Sequence, residues 1–452
     1  MKADLLLKNG TIVTHTSRFE GSIAVKDGKI AALLAKDADV ESARTVDVAG
    51  KYIIPGMIDT HTHVEDPGCH IAREDMPHAT SAAAIGGVTT MCVMPTNDPL
   101  LLNEAAYQAY LDAYKSRANV DYTLYGGLDS TNIHSIRDLW KNTGVSAMKV
   151  YMCYSSPNMG FVDDELLYDA MEILAPMNAV LIAHCENDGL INLMTHRIEA
   201  AGRTDYMSFN ESRPALGEEE AIRRLGLFAR HTGMRVVVPH LSTAEGILAV
   251  RREREDGADI WAETCPQYFE LTTKDHEKLG PFTKFSPVMH DQANQDRMWE
   301  LIGKGYIDVL GSDHSPYELS EKLAGKENIW KAPNGMPGLQ TEMAVWLHNV
   351  NKGRITLEDF VRMSSYNAAK LFRLPGKGDL LPGYDADIVV VDMDAEHALT
   401  EEEAAFKCKW SPLMGRKYKG WPVMTFLRGE LVAKDYHFVG KTGSGKFIPR
   451  AN

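Results

Sequence analysis

Apolar and polar residues change rhythm twice along the chain. Over residues 1–50 the runs are short and alternating. "DLLLKNGTIVT" reads as a strand, an Asn-Gly turn and a second strand; "SIAVKDGKIAALL" repeats this around Asp27-Gly28, and "RTVDVAGKYIIPG" adds a strand that stops at Pro55-Gly56. From residue 57 onward, short apolar runs alternate with longer stretches of helical period. Eight runs stand out, at 57–63, 88–94, 121–128, 145–152, 179–185, 234–240, 259–265 and 307–313. Between most of them lies a pattern such as "DELLYDAMEILAPM" or "EEEAIRRLGLFARHTG". Repeated strand–helix units predict a parallel sheet with helical crossovers, and eight of them over about 310 residues predict a (β/α)₈ barrel. A doubly wound open sheet is the alternative, but no G-x-G-x-x-G follows the first strand. After residue 376 the short alternating runs return in "GKGDLLPGYDADIVVVDMD" and "PVMTFLRGELVAKDYHFVG". The expected fold class is therefore α/β: a TIM-like (β/α)₈ barrel over 52–375, with a small β-sandwich accessory domain built from residues 1–51 and 376–452, the latter including a tail.

Composition narrows the partners. At 452 residues the chain exceeds what one core usually organises, in keeping with a second module. Its 48 basic and 62 acidic side chains leave a formal charge of −14, which argues against nucleic acid or an anionic membrane as partner. No apolar run approaches ~18 residues, so no membrane span is expected. Met1-Lys2-Ala3-Asp4 runs straight into a strand without the apolar core of a secretory leader, so a cytoplasmic location is expected. The six cysteines form no C-x-x-C pair and read as buried free thiols.

Two other signals are set aside. Gly440–Lys446 matches G-x-x-x-x-G-K, but Phe447 follows where Ser or Thr is needed, and Pro449 leaves no room for a phosphate-cradling helix. The acidic stretch 392–406 reads as the solvated start of a helix.

The chemistry lies at strand ends. His61 and His63 end the first barrel strand, and residues two apart on a strand share a face, which suits one metal ion. Lys149, His184, His240 and Asp313 end strands four, five, six and eight, the edge where this fold gathers catalytic groups. Taken singly, each has a packing or capping explanation; together they form a set that packing does not explain. Lys149 sits in "SAMKVYM", a run buried on both faces, so its pKa should fall or a partner should be found. A neutral amine can take up CO₂ as a carbamate, an anion with two oxygens able to bridge two cations.

This set, with "PGMIDTHTH", "GGVTTMCVMP", "MKVYM", "HCEN", "HLST", "CPQYF", "GSDHSP", "NGMPGL" and "GYDADIVV", resembles the amidohydrolase superfamily in its subgroup of hydantoinases, dihydropyrimidinases, allantoinases and dihydroorotases. The resemblance implies two divalent metal ions, zinc first, with manganese or cobalt as alternatives. It assigns His61, His63 and Asp313 to one ion, His184 and His240 to the other, and N6-carboxylated Lys149 to the bridge between them. Two cations would depress the pKa of a shared water, whose hydroxide attacks the amide carbonyl while Asp313 carries the proton to the leaving nitrogen. By the same resemblance Tyr154 stabilises the oxyanion, and main-chain groups at Ser286 and Asn334 hold the ring of a small cyclic amide. A homotetramer is also implied.

Within the subgroup, Glu65 stands where dihydroorotase-like sites carry an Arg for the substrate carboxylate. A hydantoinase or dihydropyrimidinase is the first expectation and an allantoinase the alternative. A dihydroorotase-like enzyme and a non-catalytic scaffold rank behind them. The segments 64–80 and 154–162 match no member closely and leave the exocyclic substituent open.

Overall fold

The alternating N-terminal runs form five strands in the computed structural model, which describes residues 2–38, 40–68, 70–156 and 158–451. These are β1 (Ala3–Val13), β2 (Arg18–Lys26), β3 (Lys29–Leu34), β4 (Ser42–Asp47) and β5 (Tyr52–Pro55). β1, β2 and β3 are successive antiparallel neighbours. β1 also pairs in parallel with β4 through Ala3–Lys8 and with β5 through Thr11 and Ile12.

The eight apolar runs form β6 (Met57–Thr62), β7 (Val88–Val93), β8 (Asp121–Gly127), β9 (Ala147–Tyr151), β10 (Val180–His184), β11 (Arg235–Val238), β12 (Ile260–Thr264) and β13 (Val309–Leu310). They are parallel and pair in sequence order. A parallel bridge between Thr62 and His314, with the His63 N–H donating to the His314 carbonyl at 2.8 Å, closes β13 onto β6. Every position of β6 to β10 is buried, as strands lined by helices outside and side chains inside must be. Period-two alternation divides those side chains. Ala147, Val180, Ile182 and Val237 fill the interior, which Phe372 and Leu371 close at one end. Met148, Val150, Leu181, Ala183, Val236 and Val238 face the helices.

The chain then returns to the first sheet with β14 (Ile388–His397), β15 (Tyr418–Leu427), β16 (Glu430–Lys434) and β17 (His437–Phe438). β14 pairs antiparallel with β5, so both ends of the chain contribute to one nine-stranded mixed sheet. The sheet has its own core, including Leu5, Ile23, Ile53, Ile388 and Phe426. The expected helix start at 392–406 is not formed. β14 continues through Asp392–His397 because Glu396 and His397 pair with Lys419 and Tyr418, and 401–403 make only a turn. Lys51 meets the Asp392 carboxylate at 2.5 Å and partly neutralises the acidic run.

The glycine-rich tail carries no helix. Gly445 passes so close to β8's approach that an added Cβ would lie 2.0 Å from the Val120 carbonyl oxygen, which makes glycine a packing requirement there. Phe447 then packs between Tyr107 and Tyr122, with ring centroids 5.8 Å away in each case. Five cysteines among the described residues are free, four of them buried; Cys69 lies outside those residues. Among the described residues no helix is long and apolar enough to cross a membrane.

One buried ion cluster joins barrel to sheet. Lys377 Nζ lies 2.5 Å from Asp121 at the start of β8, 2.5 Å from Asp387 just before β14, and 3.0 Å from Asp385. Arg428 shares the Asp121 carboxylate. Removing one partner from such a cluster strands the others without solvent. Lys377→Met is expected to lower unfolding free energy by ~3–5 kcal/mol in urea denaturation; a loss below ~1 kcal/mol would show that the carboxylates find other partners.

Candidate active site and metal centre

The interior alternation continues up the strands and brings ionisable groups to the barrel mouth. On β9 the inward Ala147 is followed two residues later by Lys149, and on β10 Val180 and Ile182 are followed by His184. Both are sealed from solvent. His240 and Asp313 lie just beyond β11 and β13, each with left-handed backbone (φ 43° and 48°) that redirects the chain as it leaves the strand. On β6 the register against β7 shifts between Asp59 and Thr62. Asp59 Oδ1 accepts the N–H groups of His61 (3.0 Å) and Ser312 (2.9 Å), which fixes the turn holding Asp313 beside the histidines.

Four imidazoles and one carboxylate converge there. His61 Nε2 and His63 Nε2 lie 3.6 and 3.7 Å from Asp313 Oδ1. The His61 ring is 5.0 Å from that of His240, and His184 Nδ1 is 3.1 Å from His240 Nε2. Burial pushes all four imidazoles down, with the Lys149 ammonium adding to the effect; His63 falls to about 3. Burial likewise lowers Lys149 to about 8 and raises Asp313 well above the usual carboxylate range. Lys149 Nζ and His240 Nδ1 are buried without a hydrogen-bond partner among the described residues.

This donor set fits divalent metal. The His61 Nδ1–H donates to Glu263 Oε1 at 2.9 Å, so its Nε2 lone pair faces the Asp313 carboxylate, acceptor against acceptor. His63 pairs Nδ1 with the Thr96 hydroxyl at 3.0 Å and turns Nε2 to the same carboxylate oxygen. Ligand atoms at ~2.1 Å from a tetrahedral ion stand ~3.4 Å apart, close to the spacing seen here. Beside the second histidine pair, Cys153, His184 and Glu186 also bring ligand-type atoms within 4.8 Å. That group is already compensated, because Arg213 Nη1 lies 2.6 Å from Glu186. Burial works against the Glu186 charge, but Arg213 and His184 more than offset it and hold its pKa at about 2. Glu186 Oε2 instead takes the His184 Nε2–H at 2.6 Å, leaving Nδ1 free toward His240.

These groups form the floor of a cleft at the barrel mouth. Ser286 and Asn334 both line it, with the Ser286 hydroxyl 3.2 Å from Glu186. The Asn334 segment is held by two buried ammonium groups: Lys284 donates to the carbonyls of Ile329 and Ala332, and Lys322 to those of Pro333 and Gly335. Tyr154 is not brought to the site. Its side chain is 60 % exposed and does not line the cleft. Strand alternation ends at Tyr151, and the next turn is fixed by the Tyr154 N–H donating to Asp188 (2.9 Å) and Arg213 donating to the Tyr154 carbonyl (3.3 Å). The phenols that do line the cleft are those of Tyr151 and Tyr317.

Sequence reasoning passed over Glu263, Asp59, Glu186 and Arg213. Glu263 carried the same signal as Lys149, a lone charge inside a largely apolar strand. Glu263→Gln leaves the His61 ring without its anionic partner and is expected to weaken divalent-metal binding about 10–100-fold. Metal retained after dialysis against graded chelator checks this; unchanged retention would remove Glu263 from the site.

Comparison with known proteins agrees with this architecture. Residues 52–432 match the amidohydrolase family. The chain is 35 % identical to an L-hydantoinase of Paenarthrobacter aurescens, over 99 % of this chain and 98 % of that one. It is 36 % identical to an allantoinase of Salmonella choleraesuis (strain SC-B67), over 99 % of both. The solved L-hydantoinase (dihydropyrimidinase) from Arthrobacter aurescens superposes with a TM-score of 0.96 at 34 % identity, covering 99 % of this chain and 100 % of that one. The dihydropyrimidinase from Brevibacillus agri NCHU1002 superposes at 0.90 with 28 % identity, covering 99 % and 98 %. Matched across nearly its whole length in sequence and in backbone, the chain belongs to the amidohydrolase family.

Proposed function

We propose that this protein hydrolyses the C–N bond of a five- or six-membered cyclic amide, as a hydantoinase or dihydropyrimidinase does. The observation that carries the reading is the convergence of His61, His63, Lys149, His184, His240 and Asp313 on one cleft at the mouth of a parallel barrel. His61, His63 and Asp313 would hold one divalent ion, His184 and His240 a second, with Lys149 between them as its N6-carboxylate. Imidazole and carboxylate donors suit zinc, and manganese or cobalt can take the same places. When bound, such ions supply Lewis acidity and ionise water near neutral pH.

The chain's own groups do the rest. Lys149, lowered to about 8 by burial, carries an appreciable neutral fraction near pH 7 and can add CO₂, forming an N–C bond and releasing a proton. Asp313 is the proton carrier: it lines the cleft and takes the proton of the attacking water at its carboxylate. It then delivers that proton to the ring nitrogen, which leaves poorly from an amide unless protonated. Main-chain groups beside Ser286 and Asn334 orient the ring, Glu263 and Glu186 keep His61 and His184 in one tautomer each, and the Thr96 hydroxyl orients the His63 ring.

Asp313→Asn is expected to keep the fold and lower kcat for hydantoin or dihydrouracil by about 10²–10⁴-fold; turnover within threefold of the parent would exclude the proton role. Lys149→Ala is expected to lose metal and activity, with partial recovery in millimolar acetate or propionate. Two metal ions retained per chain in that variant, counted by elemental analysis, would overturn the bridging assignment.

A further inference from the structure

The floor of the cleft is built for ring opening, but its outer wall has a separate chemistry. Among the described residues, no aliphatic side chain lines the cleft. Its outer part is made by Glu65, Arg73, Thr96, Ser155, Asn158 and Tyr317. Arg73 is fixed in place: its Nε and Nη2 donate to the Glu321 carboxylate (3.0 and 2.5 Å), and its guanidinium lies 4.6 Å over the Tyr317 ring. That leaves the Nη1 donors without a partner among the described residues. Glu65 faces the same space with no hydrogen bond among those residues. Asn158 spends one amide N–H on the Thr96 carbonyl at 3.0 Å, and its side-chain carbonyl oxygen takes no hydrogen bond among the described residues.

An alkyl or aryl substituent placed here would desolvate these donors and acceptors and return almost no apolar contact. A carboxylate would fare no better. The Arg73 charge is already matched by Glu321, and Glu65 adds a second acid on the same side. What remains is a neutral, planar group with both a carbonyl oxygen and N–H donors.

We propose that Arg73 and Glu65 form a recognition site for an amide- or urea-like group carried on the ring carbon of the cyclic substrate, Arg73 donating to its carbonyl oxygen and Glu65 accepting from its N–H. This rests on the ring-opening reading and adds to it the chemical class of the side group. It also separates the two kinds of relative, since a ureido group on a hydantoin ring gives allantoin.

The test uses the full-length, zinc-loaded protein with hydantoin and four 5-substituted hydantoins: ureido, isobutyl, benzyl and carboxymethyl. The ureido compound is expected to exceed the other three by about tenfold or more in kcat/KM, chiefly through KM. Arg73→Met should lower the ratio of kcat/KM for the ureido compound to that for hydantoin by about tenfold, with Arg73→Lys recovering part of it. Glu65→Leu should shift preference toward the isobutyl compound, and gives a reading if the Arg73 variants fail to fold. Opening of hydantoin with isobutyl or benzyl equal to or faster than ureido would overturn this site alone. A ureido-to-hydantoin ratio within threefold of the parent in both Arg73→Met and Glu65→Leu would do the same. No ring opened by protein carrying two zinc ions would overturn the ring-opening reading, and this inference with it.

Discussion

A lysine amine sealed at the mouth of a parallel barrel, without a hydrogen-bond partner among the described residues, is the constraint around which the site is organised. An isolated ammonium there is costly, and the surroundings offer it no direct ion pair. The acids that offset it, Glu263 and Asp313, act across space, and the nearest face is the Tyr151 ring at 4.9 Å. Burial holds four neighbouring imidazoles neutral, with lone pairs available, and the same charge adds to the effect. A low-basicity amine, neutral imidazoles and a carboxylate facing them form a donor set whose electrostatics improve when cations enter.

Such an arrangement persists only if each ring is held from behind. Glu263 fixes His61, Thr96 fixes His63, and Glu186 fixes His184 while Arg213 satisfies Glu186 in turn. Each of these partners comes from another element than the histidine it orients, or from the turn beyond it. The ligand atoms therefore report the closed barrel as a whole, and a loosened strand would misplace the lone pairs as well as the backbone.

This also explains what could be read from sequence. The eight strands were legible because parallel strands buried on both faces become uninterrupted apolar runs, and the ligand-type residues were legible because they sit at the ends of those runs. Glu263 was legible in principle, as a lone acid in such a run, but its role depends on a partner 202 residues away. Tyr154 stands outside the cleft lining because alternation stops with the strand at Tyr151; beyond it, Asp188 and Arg213 decide where the backbone goes. The acidic run that begins within β14 looked helical by composition, yet pairing with Lys419 and Tyr418 keeps its first part extended. Arg73 gave no signal at all, since its place depends on Glu321, 248 positions later.

These differences fall along one line. Residues on strands answer to alternation and burial, which a sequence displays directly. Residues on the rim answer to contacts between distant loops, which it does not. The comparisons divide in the same way: an L-hydantoinase and an allantoinase match this chain almost equally well, at 35 % and 36 % identity over nearly full length. Overall identity is dominated by scaffold and core, so it weighs the shared ring-opening architecture and says little about the handful of rim positions. Selection among ring substituents is set where Arg73 and Glu65 stand, by whether half-buried donors and acceptors find partners, and a few such contacts outweigh the similarity of everything beneath them.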